Sequence, residues 1–316
     1  MRHYKETQIV IGIEKLLAAS ILSLACAATS AAKEKPCDRG CLLGIGDSYI
    51  NALTYHDPRQ IGPMVAPDAI ISENGVPGRL GEGLWTTIKS LPFRQSFADP
   101  KTGQYMLFAV AMEEQDQRAQ VAIRLKVKDR LITEVEALVT RKGDHSLFEG
   151  GDPQKPLPLW STPLPASARL PRAKLLYLAN EYFETLLRSD PKGLFSPDCE
   201  RFENGVQTTN NPGTRGGISC TEGAKGYYAF ITGVRGRRFP VVDEELGVVV
   251  SLAHIDLAGT VKTLEIRGKT IVLPERNQVQ RSSAAFAAYK IEYGHIKAIM
   301  ARVREEPYLH VTVWDK

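Results

Sequence analysis

Two glutamates, Glu73 and Glu203, stand about 130 residues apart in one repeated phrase, Glu-Asn-Gly-Val. A carboxylate at the mouth of an apolar cavity has the character that proton abstraction needs. Each has a tyrosine upstream: Tyr49 lies eight residues before Asp57-Pro58, and Tyr182 eight before Asp190-Pro191. A buried tyrosine hydroxyl can donate a hydrogen bond to an oxygen that gains charge. His254 and Asp256, two residues apart in an apolar stretch with Ser251 and Leu252, could form an acid–base pair facing one cavity. Each feature also has a structural reading. Glu-Asn-Gly can simply make a turn, a helix commonly buries a tyrosine, and His254 with Asp256 can form a polar ladder on a strand.

Other chemistries have no sequence support. There is no Gly-x-Ser-x-Gly, no His-Glu-x-x-His, no phosphate-cradling glycine loop and no dinucleotide fingerprint, so no cofactor is expected. Asp243-Glu244-Glu245 reads as a solvated hairpin turn rather than a metal site, and metal ligands are expected at none of these positions. The net charge is +4, and the densest basic stretch, Arg235-Gly236-Arg237-Arg238, runs straight into that acidic turn. Nucleic acid needs an uninterrupted basic face, so it is not an expected partner.

The first 32 residues read as an export signal. Arg2, His3, Lys5 and Lys15 precede an apolar run over 16–28, and Ser30 and Ala32 suit the −3 and −1 positions of a cleavage site. The run is short for a membrane span. The mature chain is expected in a secreted or periplasmic setting, with Cys26 as the lipoprotein alternative. Four cysteines remain, an even number that favours disulfides outside the cytoplasm. Of three pairings, Cys199–Cys220 is favoured, at about 3 kcal/mol of loop entropy. That leaves Cys37 with Cys41, for which a Cys-x3-Cys zinc site is the alternative.

The elements that must position these residues occur twice. With 316 residues, a prior of about 150 per domain gives two domains. In the first, 37–149, helical spacing of Leu42, Ile45, Tyr49, Ile50 and Leu53 ends at Asp57-Pro58. A strand at 69–71 runs into Glu73-Asn74-Gly75, a short helix follows at 83–88, and strands are predicted at 105–112, 119–127 and 131–140. Six prolines between 150 and 171 mark a linker, with Leu159-Trp160 lying against a domain. The second domain, 172–316, repeats the order: a helix to Arg188, a strand to Phe202, Glu-Asn-Gly, then strands at 239–242, 247–256, 286–291 and 295–302. An insertion at 262–281 has no counterpart. Residues 308–314 read as an extra strand or as a tail across the domain interface.

Helix, Asp-Pro break, strand into an acidic turn, short helix, bent sheet: this order resembles the NTF2-like superfamily, and within it the SnoaL-like and ketosteroid-isomerase-like members. Leu131-Ile132-Thr133-Glu134-Val135-Glu136-Ala137 and His295-Ile296-Lys297-Ala298-Ile299 are similar to its last strand. Residues 237–245, Arg-Arg-Phe-Pro-Val-Val-Asp-Glu-Glu, are also similar to an uncharacterised secreted domain family of fungi and bacteria. The resemblance implies an α+β chain of two tandem NTF2-like cone domains, helices on a curved antiparallel sheet, forming a pseudo-dimer. In the ketosteroid-isomerase-like branch a tyrosine of the first helix donates to the substrate oxygen, here Tyr49 or Tyr182, and a carboxylate after the first strand moves the proton. This chain departs from that pattern. Asn74 and Asn204 stand at the base position, each preceded by Glu73 or Glu203, and the second donor position is Ile123 or Ala287. Asparagine cannot cycle a proton near neutral pH, so the adjacent glutamate would have to serve.

The expected function is therefore proton transfer on a small organic molecule, as elimination, cyclisation or isomerisation, without a nucleotide cofactor. Glu203, His254, Asp256, Tyr182, Glu73 and Tyr49 are the candidate catalytic groups. Asn204, Asn74, Tyr228, Trp85 and Arg238 are candidate ligand contacts. The second domain is favoured as the working one, for His254, Asp256 and the loop tethered at Cys199–Cys220. The rival is a non-catalytic module binding a small ligand or a protein. The expected partners are a small molecule and the chain's own second domain, in a monomer without a membrane span.

Overall fold

The computed structural model describes residues 37–145, 157–214 and 217–315, and the predicted export signal lies outside them. Two six-stranded sheets dominate. The first has the order β2-β1-β6-β5-β4-β3, from β1 (Val65–Glu73), β2 (Val76–Pro77), β3 (Ile88–Asp99), β4 (Gln104–Glu113), β5 (Arg118–Lys128) and β6 (Leu131–Arg141). The second has the matching order β8-β7-β14-β13-β10-β9, from β7 (Phe195–Glu203), β8 (Val206–Gln207), β9 (Gly233–Asp243), β10 (Val248–Leu257), β13 (Arg281–Glu292) and β14 (His295–Glu306). A long helix precedes each: α1 (Arg39–Thr54) and α2 (Arg172–Arg188). The insertion forms a hairpin of its own, β11 (Thr263–Ile266) with β12 (Lys269–Val272).

Neither large sheet is purely antiparallel. β1 pairs with β6 in parallel, as β7 does with β14, because each reaches its neighbour by crossing over rather than through a hairpin. The strand β3 is absent from the sequence reading, since Pro92 and flanking polar residues mask it. It tolerates that proline as an edge strand whose register shifts between Ser90 and Phe93. Pro240 occupies a similar edge in β9, which starts six residues before the predicted strand. The predicted helix at 83–88 is a single 3₁₀ turn, Gly83–Thr86. Residues 308–314 form no strand; they are a tail.

In the central strands, alternation sends successive side chains to two buried faces. In β4, Tyr105, Leu107, Ala109 and Ala111 join α1 residues such as Leu42 and Ile50 in one core. Their neighbours Met106, Phe108 and Val110 turn the other way. There they meet Val248, Val250, Leu252, Phe286 and Met300 of the second sheet in a shared apolar cluster. Phe97 contacts Phe108 and Trp160 edge-on, with centroids 6.2 and 5.9 Å apart, so the proline-rich segment is pinned at Trp160. Full burial of such a ring is worth about 2–3 kcal/mol. Arg302 sits fully buried at this junction, donating to the Ala109 carbonyl at 3.4 Å. Asp243 is buried too, not solvated: it accepts from the amides of Glu245 and Leu246 and pairs with Arg39.

The repeated Asn-Gly has a clear backbone role. Asn74 and Gly75 have φ of 53° and 76°, and Asn204 and Gly205 have 48° and 85°, as two-residue hairpins with positive φ at both centres require. Each asparagine then extends the parallel pairing past its strand's end. Asn74 Oδ1 accepts the Val139 amide at 2.8 Å; Asn204 accepts from the Val303 amide at 2.9 Å and donates to its carbonyl at 2.8 Å. Asn204→Ala would orphan the Val303 amide in a buried place and leave its carbonyl only the Thr140 hydroxyl at 3.2 Å. It is expected to cost about 3 kcal/mol in urea unfolding, more than Asn74→Ala at its half-buried site. Equal small losses would refute this role for the Asn204 side chain.

Candidate functional site

A cup of ≈ 410 Å³ lies over the inward face of the first sheet, walled by Leu53, Ile71, Leu84, Ile123 and Val135. Two of its polar groups are those the repeated phrase singled out. Tyr49 comes from α1, and its hydroxyl accepts the Trp85 indole N–H at 3.2 Å while the rings meet edge-on. Among the described residues no acceptor takes the tyrosine's own proton. Burial pushes the Tyr49 pKa well above the usual tyrosine range, and the nearby Glu73 charge adds to the shift against the effect of the Trp85 hydrogen bond. The hydroxyl therefore stays a donor.

Glu73 ends β1. Its Oε2 accepts the Leu84 amide at 2.8 Å, and its Oε1 lies 3.8 Å from Arg141. Gly83 makes this possible: its φ is +63°, and a Cβ there would stand 2.3 Å from Glu73 Oε2. Trp85 and Asn74 also line the cup.

The rim is completed from the far end of the chain. Glu306, Pro307 and His310 line the same cup, a contribution that no sequence pattern announced. The tail is held by Trp314, whose indole donates to Ser72 Oγ at 2.8 Å, with Arg124 and Arg238 guanidinium groups 4.8 and 5.8 Å from its ring centroid. Thr312 packs on Gly75, where a Cβ would stand 2.5 Å from its methyl. Arg238 is thus no cup residue. It forks onto Glu136 at 2.5 and 2.9 Å and helps clamp the tail.

A second cup of ≈ 500 Å³ lies over the inward face of the other sheet, and Glu203 and Tyr228 line it. Arg201, two residues before Glu203 on the same strand face, binds both: Nη2 to Glu203 at 2.6 Å and Nη1 to the Tyr228 hydroxyl at 2.6 Å. Tyr182 does not reach this cup. Its ring packs against Phe183, Phe195 and Tyr289, with centroids 5.1–6.3 Å away. Asn204 is likewise spent on Val303.

His254 and Asp256 fall on the opposite face of β10 from this cup. Val249 and Ala253 face the second core and Val248, Val250 and Leu252 the shared cluster, so the even-numbered residues point away. His254 Nδ1 lies 2.5 Å from Glu306 and its Nε2 3.5 Å from Asp315 of the tail. Asp256 binds Arg235 at 3.1 Å and Ser282 at 2.5 Å. The predicted acid–base pair is two separate polar anchors.

The cysteines pair as favoured, Cys199–Cys220 and Cys37–Cys41, with Cα separations of 5.9 and 5.2 Å. The Cys-x3-Cys element is thereby a disulfide and not half of a zinc site. Two such bonds suit an oxidising, extracellular environment. Among the described residues no three His, Cys, Asp or Glu side chains converge as a metal site would need, and no helix is long and apolar enough to cross a membrane.

Residues 168–303 match the family model described as Domain of unknown function (DUF8021), a stretch that includes 237–245. No curated protein matches the sequence. Among solved structures, the chain is similar to a protein of unknown function with a cystatin-like fold from Methylobium petroleophilum PM1, at 13% identity over 35% of this chain and 84% of that one, TM-score 0.30. It is also similar to an NTF2-like protein of unknown function from Cytophaga hutchinsonii ATCC 33406, at 9% identity over 31% and 88%, TM-score 0.27. A steroid delta-isomerase from Pseudomonas aeruginosa matches at 12% identity over 33% and 82%, TM-score 0.27.

The burial of Tyr49 has a pH signature. Its folded pKa lies above the ordinary tyrosine value of about 10. The stability it contributes is therefore complete below pH 10 and is lost as pH rises toward the folded pKa, at up to about 1.4 kcal/mol per unit. From about pH 9 to about pH 11, Tyr49→Phe should lose about 1.4 kcal/mol less stability in total than the wild type, measured by urea unfolding. An identical alkaline loss in both would mean the hydroxyl is not shielded.

Proposed function

We propose that the chain is an exported pair of NTF2-like cones, 37–149 and 172–316, joined by the proline-rich 150–171 and packed as a pseudo-dimer. In this reading the first cone carries out proton transfer on a small, largely apolar molecule with a carbonyl oxygen. One observation carries it: the Tyr49 hydroxyl, with its proton unspent, and the Glu73 carboxylate both face one apolar cup of ≈ 410 Å³. That volume falls in the range of small-molecule sites. Preference moves from the second cone to the first because His254, Asp256 and Tyr182 do not line the second cup.

In the proposed reaction, Glu73 takes a proton from the carbon next to the carbonyl. The electron pair of that C–H bond moves toward the carbonyl oxygen, where Tyr49 donates a hydrogen bond to the growing negative charge. Trp85 fixes the hydroxyl, and the Leu84 amide fixes the carboxylate. The enolate then takes the proton back at another carbon, expels a leaving group, or attacks a second carbonyl: isomerisation, elimination or cyclisation. Ile123 stands where the ketosteroid-isomerase-like pattern has a second donor, so the oxyanion depends on Tyr49.

A ligand carrier is the second reading. It is favoured by the Leu84 amide and Arg141 at Glu73, contacts that a purely structural carboxylate would also make.

Proton transfer can be measured without the natural substrate, by following deuterium uptake next to the carbonyl of an aryl alkyl ketone in deuterium oxide by NMR. The wild type is expected to speed the exchange. Glu73→Gln should lower it by about 100-fold or more, a typical general-base contribution, with ketone affinity nearly unchanged. Tyr49→Phe should lower it by roughly tenfold or more. Undiminished exchange in Glu73→Gln would remove Glu73 from the mechanism, and saturable binding with no exchange in the wild type would favour the carrier.

A further inference from the structure

The second cup carries an imbalance that the chemistry of the first does not explain. Among the described residues its wall holds three guanidinium groups, Arg201, Arg276 and Arg281, against one carboxylate, Glu203. Arg201 is nine-tenths buried; Tyr228 and Glu203 take its two terminal nitrogens, but its Nε has no acceptor among the described residues. Arg281 is worse served. Its Nη2 reaches Asn277 at 2.7 Å, while its Nε and Nη1 have no hydrogen-bond acceptor among the described residues. The Glu305 carboxylate stands 3.6 Å from that Nε, beyond hydrogen-bond reach. Burial pulls the Arg281 pKa below its usual value, and Glu305 only partly offsets this.

Unsatisfied buried donors cost about 1–3 kcal/mol each, and more on a charged group. An acceptor that entered the cup would recover that cost, with the Arg281 side chain turning onto it. Strand alternation places these groups together. Arg201 and Glu203 share a face of β7 with Cys199, and Arg281 and Ser283 share a face of β13 with Ala285 and Ala287, all toward the second core. The rest of the wall is apolar and aromatic, from Tyr227, Phe230, Ile231, Ile255 and Leu264.

We propose that this second cup is a receptor for an organic acid, with a carboxylate head on the Arg281 and Arg201 guanidinium groups and an apolar or aromatic body against Tyr227, Phe230 and Ile255. A planar carboxylate matches the guanidinium fork. Glu203, already on Arg201, opposes a second negative charge, so a monoanion is preferred to a phosphate dianion. The proposal is independent of the proton-transfer reading of the first cup.

The test is calorimetric titration with naphthoate, its neutral amide naphthamide, and inorganic phosphate. Naphthoate is expected to bind saturably, with naphthamide roughly tenfold weaker or more. Arg281→Gln should weaken naphthoate by a similar factor and leave naphthamide unchanged, while Glu203→Gln should tighten naphthoate. If Arg281→Gln fails to fold, Arg281→Lys keeps the charge without the fork and should lose affinity severalfold. Equal affinity for acid and amide, undiminished naphthoate binding in the Arg281 variant, or no saturable naphthoate binding would each overturn the proposal. Phosphate binding more tightly than naphthoate would overturn the assignment to a carboxylate.

Discussion

The packing of the two sheets against one another through a shared apolar cluster constrains everything else in the molecule. Phe97, Met106 and Phe108 from one sheet and Val250, Leu252 and Phe286 from the other fill it, with Trp160 of the proline-rich segment at its side. Because that face is buried, each central strand must be apolar on both sides. The face turned away from the cluster then folds over a helix and forms a cup. Along the central strands successive apolar side chains turn to the cluster or to the cup side, and a shift of one residue would exchange the two. Arg302 marks the cost: it is a fully buried guanidinium whose acceptors are backbone carbonyls of Ala109 and Ala301.

The same alternation gives the two cups different characters. In the first, a tyrosine from the helix and a carboxylate from the strand end meet over apolar side chains, and the tail of the other half completes the rim. In the second, the matching tyrosine is absorbed into a ring cluster and the matching carboxylate is paired with Arg201. Two halves with the same strand order thus present one cup with a donor available to a guest and one dominated by positive charge. The tail couples them, since Asp315 and Glu306 flank His254 of β10 while Trp314 rests on Ser72 of β1.

Much of this order was legible in the repeated phrase. Glu-Asn-Gly located both strand ends and both turns, because a two-residue turn with positive φ leaves few choices of residue. Strands β4, β5 and β6 were legible from their β-branched runs. The edge strand β3 was not, since an edge tolerates Pro92 and an interrupted register that look like a loop. The error at His254 and Asp256 has a definite cause. From Val248 to Ala253 the residues are nearly all apolar, so the run carries no alternation that fixes which face is inward. Arg201 could have been found two positions before Glu203 on the same face. His310 could not, because only the folded tail brings it to the cup.

The claim on which the functional reading depends is that the first cup admits a guest between Tyr49 and Glu73. A crystal structure of the protein soaked with an aryl ketone tests it most directly. The expected result is the carbonyl oxygen within about 3 Å of the Tyr49 hydroxyl, with the adjacent carbon turned toward the Glu73 carboxylate. A ketone bound elsewhere, or a cup closed by Trp85 and the tail with no room for it, would contradict the account.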